Sequence, residues 1–254
     1  MRQSDPPLTL TTDLVFAVLL LARLAGVANL QMYHAHRADA GSAVRLASKA
    51  DASPPTTADL LAHDCIALGL ACLMPGVAVL SEEDAASFVA RRPQGEFWLV
   101  APLDGTKEFL AKSGEFTVNI ALIRDGRALC GVVSAPALGL AYWGGRGIGS
   151  YREDDGGGRA PLTVAANAAL ARSLRVVASE SHLDSATQAW IAALGSVQLM
   201  QAGSSLKICR VAEGSAGVYL RLSPTCEWDT AAAQAVLELA GGVLCTLTGS
   251  ALAL

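Results

Sequence analysis

Hydrophobic and polar positions divide the chain into alternating helical and extended segments. Leu14 to Leu30 is almost continuously apolar with Arg23 as its single charge, which predicts one long, mostly buried helix over Leu14–Ala40, capped by Thr12 or Asp13. Thr57–Leu73 reads as a second helix, with Leu60, Leu61, Cys65, Leu68 and Cys72 near helical spacing. Strands are expected at Ala78–Leu80 and Phe97–Val100, then a hairpin of Val118–Ile123 with Ala128–Ser134, and a pair at Leu140–Trp143 and Ile148–Tyr151. Farther on, strands at Arg175–Ala178, Val197–Leu199 and Val218–Leu222 alternate with helices at Ser185–Leu194, Ser205–Glu213 and Thr230–Ala240, the last ended by Gly241-Gly242. The polar, Gly-rich stretch from Arg152 to Gly158 is the expected domain boundary, giving an N-terminal domain over 1–155 and a C-terminal one over 156–254. Such a mixture is α/β or α+β, built in layers.

Composition narrows the classes. Apolar residues make up 52% of the 254 positions and the net charge is only −4, so the chain has enough apolar surface for a packed core and is not chiefly disordered. Nineteen Lys and Arg against 23 Asp and Glu leave no basic surplus for a nucleic acid polymer, while a small phosphorylated metabolite is still allowed. Six cysteines form no CxxC pair, which argues against a zinc ribbon and for buried, reduced thiols in a cytoplasmic protein. The apolar N-terminal run leaves a peripheral contact with the inner membrane face as a secondary reading.

Three acidic segments carry the candidate chemistry: Ser81-Glu82-Glu83-Asp84 after an apolar strand, Leu103-Asp104-Gly105-Thr106 after another, and Glu227-Trp228-Asp229-Thr230 opening a helix. Glu82, Asp104 and Asp229 are hard oxygen donors, and the Pro102-Leu103 carbonyls could join them, a set that suits Mg2+. Gly105-Thr106 at a strand-to-helix turn offers N–H groups and a hydroxyl to phosphate. Taken singly, each segment also reads as a solvated acidic turn, an ordinary turn or a helix cap.

In combination they resemble a known superfamily. Its signature is an Asp, then Glu-Glu, then Asp-Pro-(Ile/Leu)-Asp-Gly-Thr, then Trp-Asp, here Asp59, Glu82-Glu83, Ala101-Pro102-Leu103-Asp104-Gly105-Thr106 and Trp228-Asp229. The chain is thus similar to the Mg2+-dependent phosphatases that include inositol monophosphatase and fructose-1,6-bisphosphatase. Ser48-Lys49-Ala50-Asp51 with Ser53-Pro54, Lys107-Glu108-Phe109 through Leu122, and Gly203-Ser204-Ser205-Leu206-Lys207 look like the bacterial 3′(2′),5′-bisphosphate nucleotidase branch.

The resemblance implies a layered α/β/α/β/α sugar-phosphatase fold. It implies hydrolysis of 3′-phosphoadenosine 5′-phosphate to AMP and phosphate, in the context of sulfate assimilation, and a homodimer by analogy. Carried over, Glu82 and the Leu103 carbonyl ligate one Mg2+, and Asp104 and Asp229 a second. Thr106 with Asp59 orients water, and the Gly105 and Thr106 N–H groups hold the transferred phosphate. Ser204, Lys207 and Arg221 stand at the nucleotide end, although Lys207 reads equally as a solvated lysine on a helix.

Departures from the pattern temper the activity. Position 101 is Ala where the family has an Asp that bridges two cations, so cation affinity and rate should fall, the rate by about 10²-fold or more. Glu83 and Asp84 are candidate substitutes. Ala233 replaces a Gly expected near the substrate, and the chain stops at Leu254 where relatives continue, which predicts an exposed sheet edge in the second domain. An inositol monophosphatase-type phosphomonoesterase and an inactive nucleotide-binding homologue are the alternatives.

Overall fold

The computed structural model describes residues 10–38, 57–91, 95–165, 174–179 and 184–254. The motif at Ser48–Asp51 with Ser53-Pro54 lies outside the described residues. Helices α1 (Thr12–Ala38) and α2 (Thr57–Leu73) precede a seven-stranded sheet: β1 (Ala78–Ser81), β2 (Glu96–Asp104), β3 (Thr117–Arg124), β4 (Arg127–Ala135), β5 (Leu140–Gly145), β6 (Gly149–Asp154) and β7 (Arg159–Pro161). Short helix α3 (Thr106–Ala111) interrupts β2 and β3. The strands lie in sequence order, β1 and β2 parallel and the rest antiparallel. A second, all-parallel sheet of order β10-β8-β9 is formed by β8 (Leu174–Ser179), β9 (Val197–Ala202) and β10 (Val218–Tyr219). Its strands are linked through α4 (Ser185–Ala193) and α5 (Leu206–Ala212), and α6 (Glu227–Leu239) follows.

Strand alternation sends side chains of the large sheet to two cores. Trp98, Val100, Val118, Ile120, Leu122 and Val132 pack under α1 and α2. Phe97, Leu99, Ala121, Ile123 and Val133 pack against α5 and α6. The order is therefore α1/α2, large sheet, α5/α6, small sheet, with contacts from α5 to both α6 and the small sheet. Gly131 on β4 is what lets α6 lie so close: a Cβ there would stand 2.2 Å from the Ala232 carbonyl oxygen.

Several expectations are corrected. The apolar positions that mark α2 as a helix do not form its buried face. Leu60, Leu61 and Leu68 are exposed, and the buried stripe is Ala58, Asp59, Ala62, Ile66 and Leu70. Helix α1 is long and apolar enough to cross a membrane, yet it seats Val15, Val18, Ala22 and Ala25 on the large sheet while Leu20, Leu24 and Val27 stay exposed. It is therefore half-buried rather than mostly buried. The Arg152–Gly158 stretch is not a free linker but a hairpin joining β6 to β7 of one sheet, closed by Gly158 N–H donating to Asp154 Oδ1 at 2.8 Å. Of the six cysteines, Cys130 and Cys209 are buried, and burial raises both thiols, Cys130 up to about 12; Cys72, Cys226 and Cys245 are exposed.

Candidate active site

The parallel pairing of β1 with β2 aligns Ser81 with Val100, and the Glu82 N–H continues the pairing by donating to the Val100 carbonyl at 3.1 Å. Glu82 therefore leaves its strand beside Ala101. Strand β2 runs past the expected end at Val100, with a register shift between Ala101 and Asp104. Such a bulge tolerates a residue without an N–H. The buried Asn29 of α1 holds it by donating Nδ2 to the Pro102 carbonyl at 2.9 Å. Gly105 then turns the chain into α3 with φ +91°, a region that favours glycine, and a Cβ there would stand 3.2 Å from both the Glu115 carbonyl oxygen and Ser204 Cβ.

Here the ends of β2 and β9 and the start of α6 surround a cavity of about 580 Å3. Glu82, Leu103, Asp104, Gly105, Thr106, Ser204, Lys207, Arg221 and Asp229 all line it. Asp59 does not: it is buried on α2 and absent from the wall. Glu83 and Asp84 are absent from the wall as well, and the Asp84 carboxylate caps the following 3-10 turn through Ala86 N–H. Ala233 lies in the core between α6 and the large sheet, away from the cavity, so its extra methyl is a packing atom.

Asp104 is the most heavily bonded acid. Its Oδ2 accepts from Ser205 N–H and Oγ, each at 2.8 Å, from Ser204 Oγ at 2.5 Å and from Asn119 Nδ2 at 3.2 Å. Ser204 was expected at the nucleotide end; its hydroxyl instead meets Asp104 and Thr117 Oγ1, and it accepts φ +51° to do so. Asp229 opens α6, its Oδ2 accepting from Cys226 N–H at 3.2 Å and Thr225 Oγ1 at 3.0 Å. Burial, then the nearby charge of Asp104, push the Asp229 carboxyl up to about 6 despite those bonds and Arg221. Lys207 is not a solvated lysine: it is 5% exposed. Burial lowers its pKa against the pull of Asp104, Glu108 and Glu115. Arg221 is held over the cavity by the Pro224 carbonyl at 2.8 Å.

Thr117, Asn119 and Ser205 are functional neighbours that the sequence reading did not single out. Two of them carried a signal: Thr117 and Asn119 are polar and fully buried in an otherwise apolar strand, a placement that asks for partners.

As a cation site the donor set fits in part. The charge of Asp104 beside Asp229, which helps to raise the Asp229 carboxyl, is an arrangement a divalent cation would relieve. Among the described residues, however, no three acidic, histidine or cysteine side chains form a metal-binding group. By alternation Ala101 faces the same side as Phe97 and Leu99, towards α6, and it is fully buried there with a methyl where the family pattern has a carboxylate.

Known proteins match this architecture. The model of the inositol monophosphatase family matches residues 13–254. The 3′(2′),5′-bisphosphate nucleotidase CysQ of Escherichia coli (strain K12) is 46% identical over 224 residues, covering 88% of this chain and 87% of that protein. That of Salmonella typhimurium is 45% identical over the same shares. The crystal structure of CysQ from Bacteroides thetaiotaomicron, described as a bacterial member of the inositol monophosphatase family, superposes with a TM-score of 0.75 at 37% identity, covering 89% of this chain and 86% of that one. Inositol monophosphatase-II of Staphylococcus aureus gives a TM-score of 0.75 at 22% identity, a likeness of fold. With the cavity at the ends of β2, β9 and α6 and a match along nearly its whole length, this α/β chain belongs to the inositol monophosphatase family of phosphatases.

Proposed function

We propose that the chain is a 3′(2′),5′-bisphosphate nucleotidase that hydrolyses 3′-phosphoadenosine 5′-phosphate to AMP and phosphate with Mg2+, clearing a by-product of sulfate assimilation, and that Ala101 impairs it. The observation that carries this reading is one cavity whose lining includes the acids Glu82, Asp104, Glu108 and Asp229 together with the cations Lys107, Lys207 and Arg221. Acids alone would repel a doubly phosphorylated nucleotide. Cations and a carboxylate group suited to a divalent ion in the same cavity can serve two phosphates.

Asp104 and Asp229 would hold one Mg2+, and Glu82 with the Leu103 carbonyl would hold another only weakly, for want of a carboxylate at position 101. When bound, the cation supplies positive charge to offset what develops on the phosphoryl oxygens. The chain's own groups do the rest. Thr106, with Asp59 buried on α2, orients the attacking water. Gly105 and Thr106 N–H groups steady the 3′-phosphate while water adds to phosphorus, the P–O3′ bond breaks and the 3′-oxygen leaves with a proton. Lys207, low in water contact, keeps its charge near the acids and meets the nucleotide end with Arg221.

Parallel measurement of phosphate release from 3′-phosphoadenosine 5′-phosphate and from inositol 1-phosphate tests the assignment. The nucleotide is expected to react faster at equal Mg2+; preference for inositol phosphate would reassign the chain to the inositol monophosphatases. The buried methyl of Ala101 also favours a second reading, a nucleotide-binding homologue without turnover. Tight calorimetric binding of the bisphosphate with no phosphate released, even after Ala101→Asp, would establish that one instead.

A further inference from the structure

We propose that Ser205 is the positioning residue of this site: it clamps one oxygen of Asp104 and ties it to α6, so that Asp104 turns its other oxygen to the cavity. The inference rests on the cation-binding reading above for its functional consequence and on geometry for the clamp itself. Ser205 is 3% exposed, at the turn between β9 and α5. Its N–H and its hydroxyl both reach Asp104 Oδ2 at 2.8 Å. The same hydroxyl lies 2.5 Å from the main-chain carbonyl oxygen of Asp229 and accepts from Asn119 Nδ2 at 2.8 Å. A hydroxyl has one proton and two lone pairs. With Asn119 on a lone pair, the single proton of Ser205 is shared between Asp104 and the first turn of α6, so the two acids that would share a cation are joined through one oxygen atom.

The surroundings leave Asp104 little choice. Ser204 Oγ, Ser205 N–H and Oγ, and Asn119 Nδ2 all converge on Oδ2, whereas Oδ1 has no hydrogen bond among the described residues. Glu115 Oε2 fixes the turn from the other side by accepting from Gly203 N–H at 2.7 Å. Gly203 is required there: a Cβ would stand 2.6 Å from Glu108 Cγ and 2.9 Å from the Glu115 carbonyl oxygen. The left-handed backbone of Ser204 is the strain accepted to aim two hydroxyls and an N–H at one carboxylate oxygen.

Two readouts test this. In metal-free crystals, Ser205→Ala is expected to release Asp104 into a second side-chain conformer, and Ser205→Thr, which keeps the hydroxyl, to restore the single one. In the Ala101→Asp background, Ser205→Ala is expected to raise the Mg2+ concentration for half-maximal phosphate release by about tenfold or more, while the KM for the bisphosphate changes less than about twofold. An unmoved Asp104 together with unchanged Mg2+ dependence overturns the proposal. Should Ser205→Ala fail to fold, Asn119→Ala removes a donor to both Ser205 and Asp104 and carries the same expectation. If the Ala101→Asp protein neither binds Mg2+ nor releases phosphate, the nucleotidase reading fails, and the metal-free crystals alone decide the clamp.

Discussion

The two halves of the acidic cavity are built to different standards. Around Asp104 and Asp229, buried serines, an asparagine and a threonine saturate the inner carboxylate oxygen, and the start of α6 is fixed by its own capping bonds. Around Glu82, the neighbouring strand offers the methyl of Ala101, fully buried and facing α6. Polar side chains are costly to bury without partners. The first half is dense in supporting hydrogen bonds, and the second has a methyl on the strand beside Glu82.

Replacing Ala101 with Asp tests that contrast with the largest effect. Turnover of the bisphosphate at saturating Mg2+ should rise about 10²-fold or more, about 3 kcal/mol in transition-state energy. Because position 101 is fully buried, the same variant should be less stable than the parent without Mg2+ and gain more from its addition. Parallel thermal melts with and without the cation read that out. Next in size is Gly131→Ala, whose Cβ would collide with the Ala232 backbone and lift α6 from the sheet. A loss of about 3 kcal/mol in urea unfolding is expected, with Asp229 displaced from Asp104.

The pH dependence of metal-free stability isolates the Asp104–Asp229 half. The folded Asp229 carboxyl is raised to about 6 from its ordinary 3.8, so the folded state binds its proton more tightly than the unfolded one. Stability on this account is full below about pH 4 and falls as pH rises to about 6. Asp229→Asn should therefore be more stable than the parent at pH 7.5, by about 2 kcal/mol, and match it near pH 4; a constant difference would mean the capping bonds dominate. The smallest effect is expected from Arg91→Ala. Arg91 bridges to Glu227 at 2.6 Å beside the Phe88–Trp228 contact, tying the Glu82 segment to α6. Both partners are about a third exposed, so a stability loss below about 1 kcal/mol is expected from chemical denaturation.

Much of the fold is legible in the residue pattern. Thr57–Leu73 stands where helical spacing puts it, and the expected hairpin over residues 118–134 forms, closing through an Asp125-Gly126 turn. Its limits are physical. Spacing identifies a helix but not which apolar stripe is buried, and α2 buries Ala58, Ala62, Ile66 and Leu70 while Leu60, Leu61 and Leu68 face out. Val100 reads as the strand end, but β2 continues to Asp104 through a register shift. Within the site, Glu82, Asp104, Thr106, Lys207 and Asp229 are readable as spaced motifs and line one cavity. Asp59 belongs to the same motif set yet lies off the cavity, and the partners of Asp104 come from β3 and the β9–α5 turn. No local spacing encodes that convergence.

Calorimetric titration of Mg2+ into the metal-free protein and into its Ala101→Asp variant tests the central claim most directly. The variant should bind at least about tenfold more tightly and take up more cation per chain. Equal affinity and equal stoichiometry in the two proteins would contradict the account of an acidic site weakened by one buried methyl.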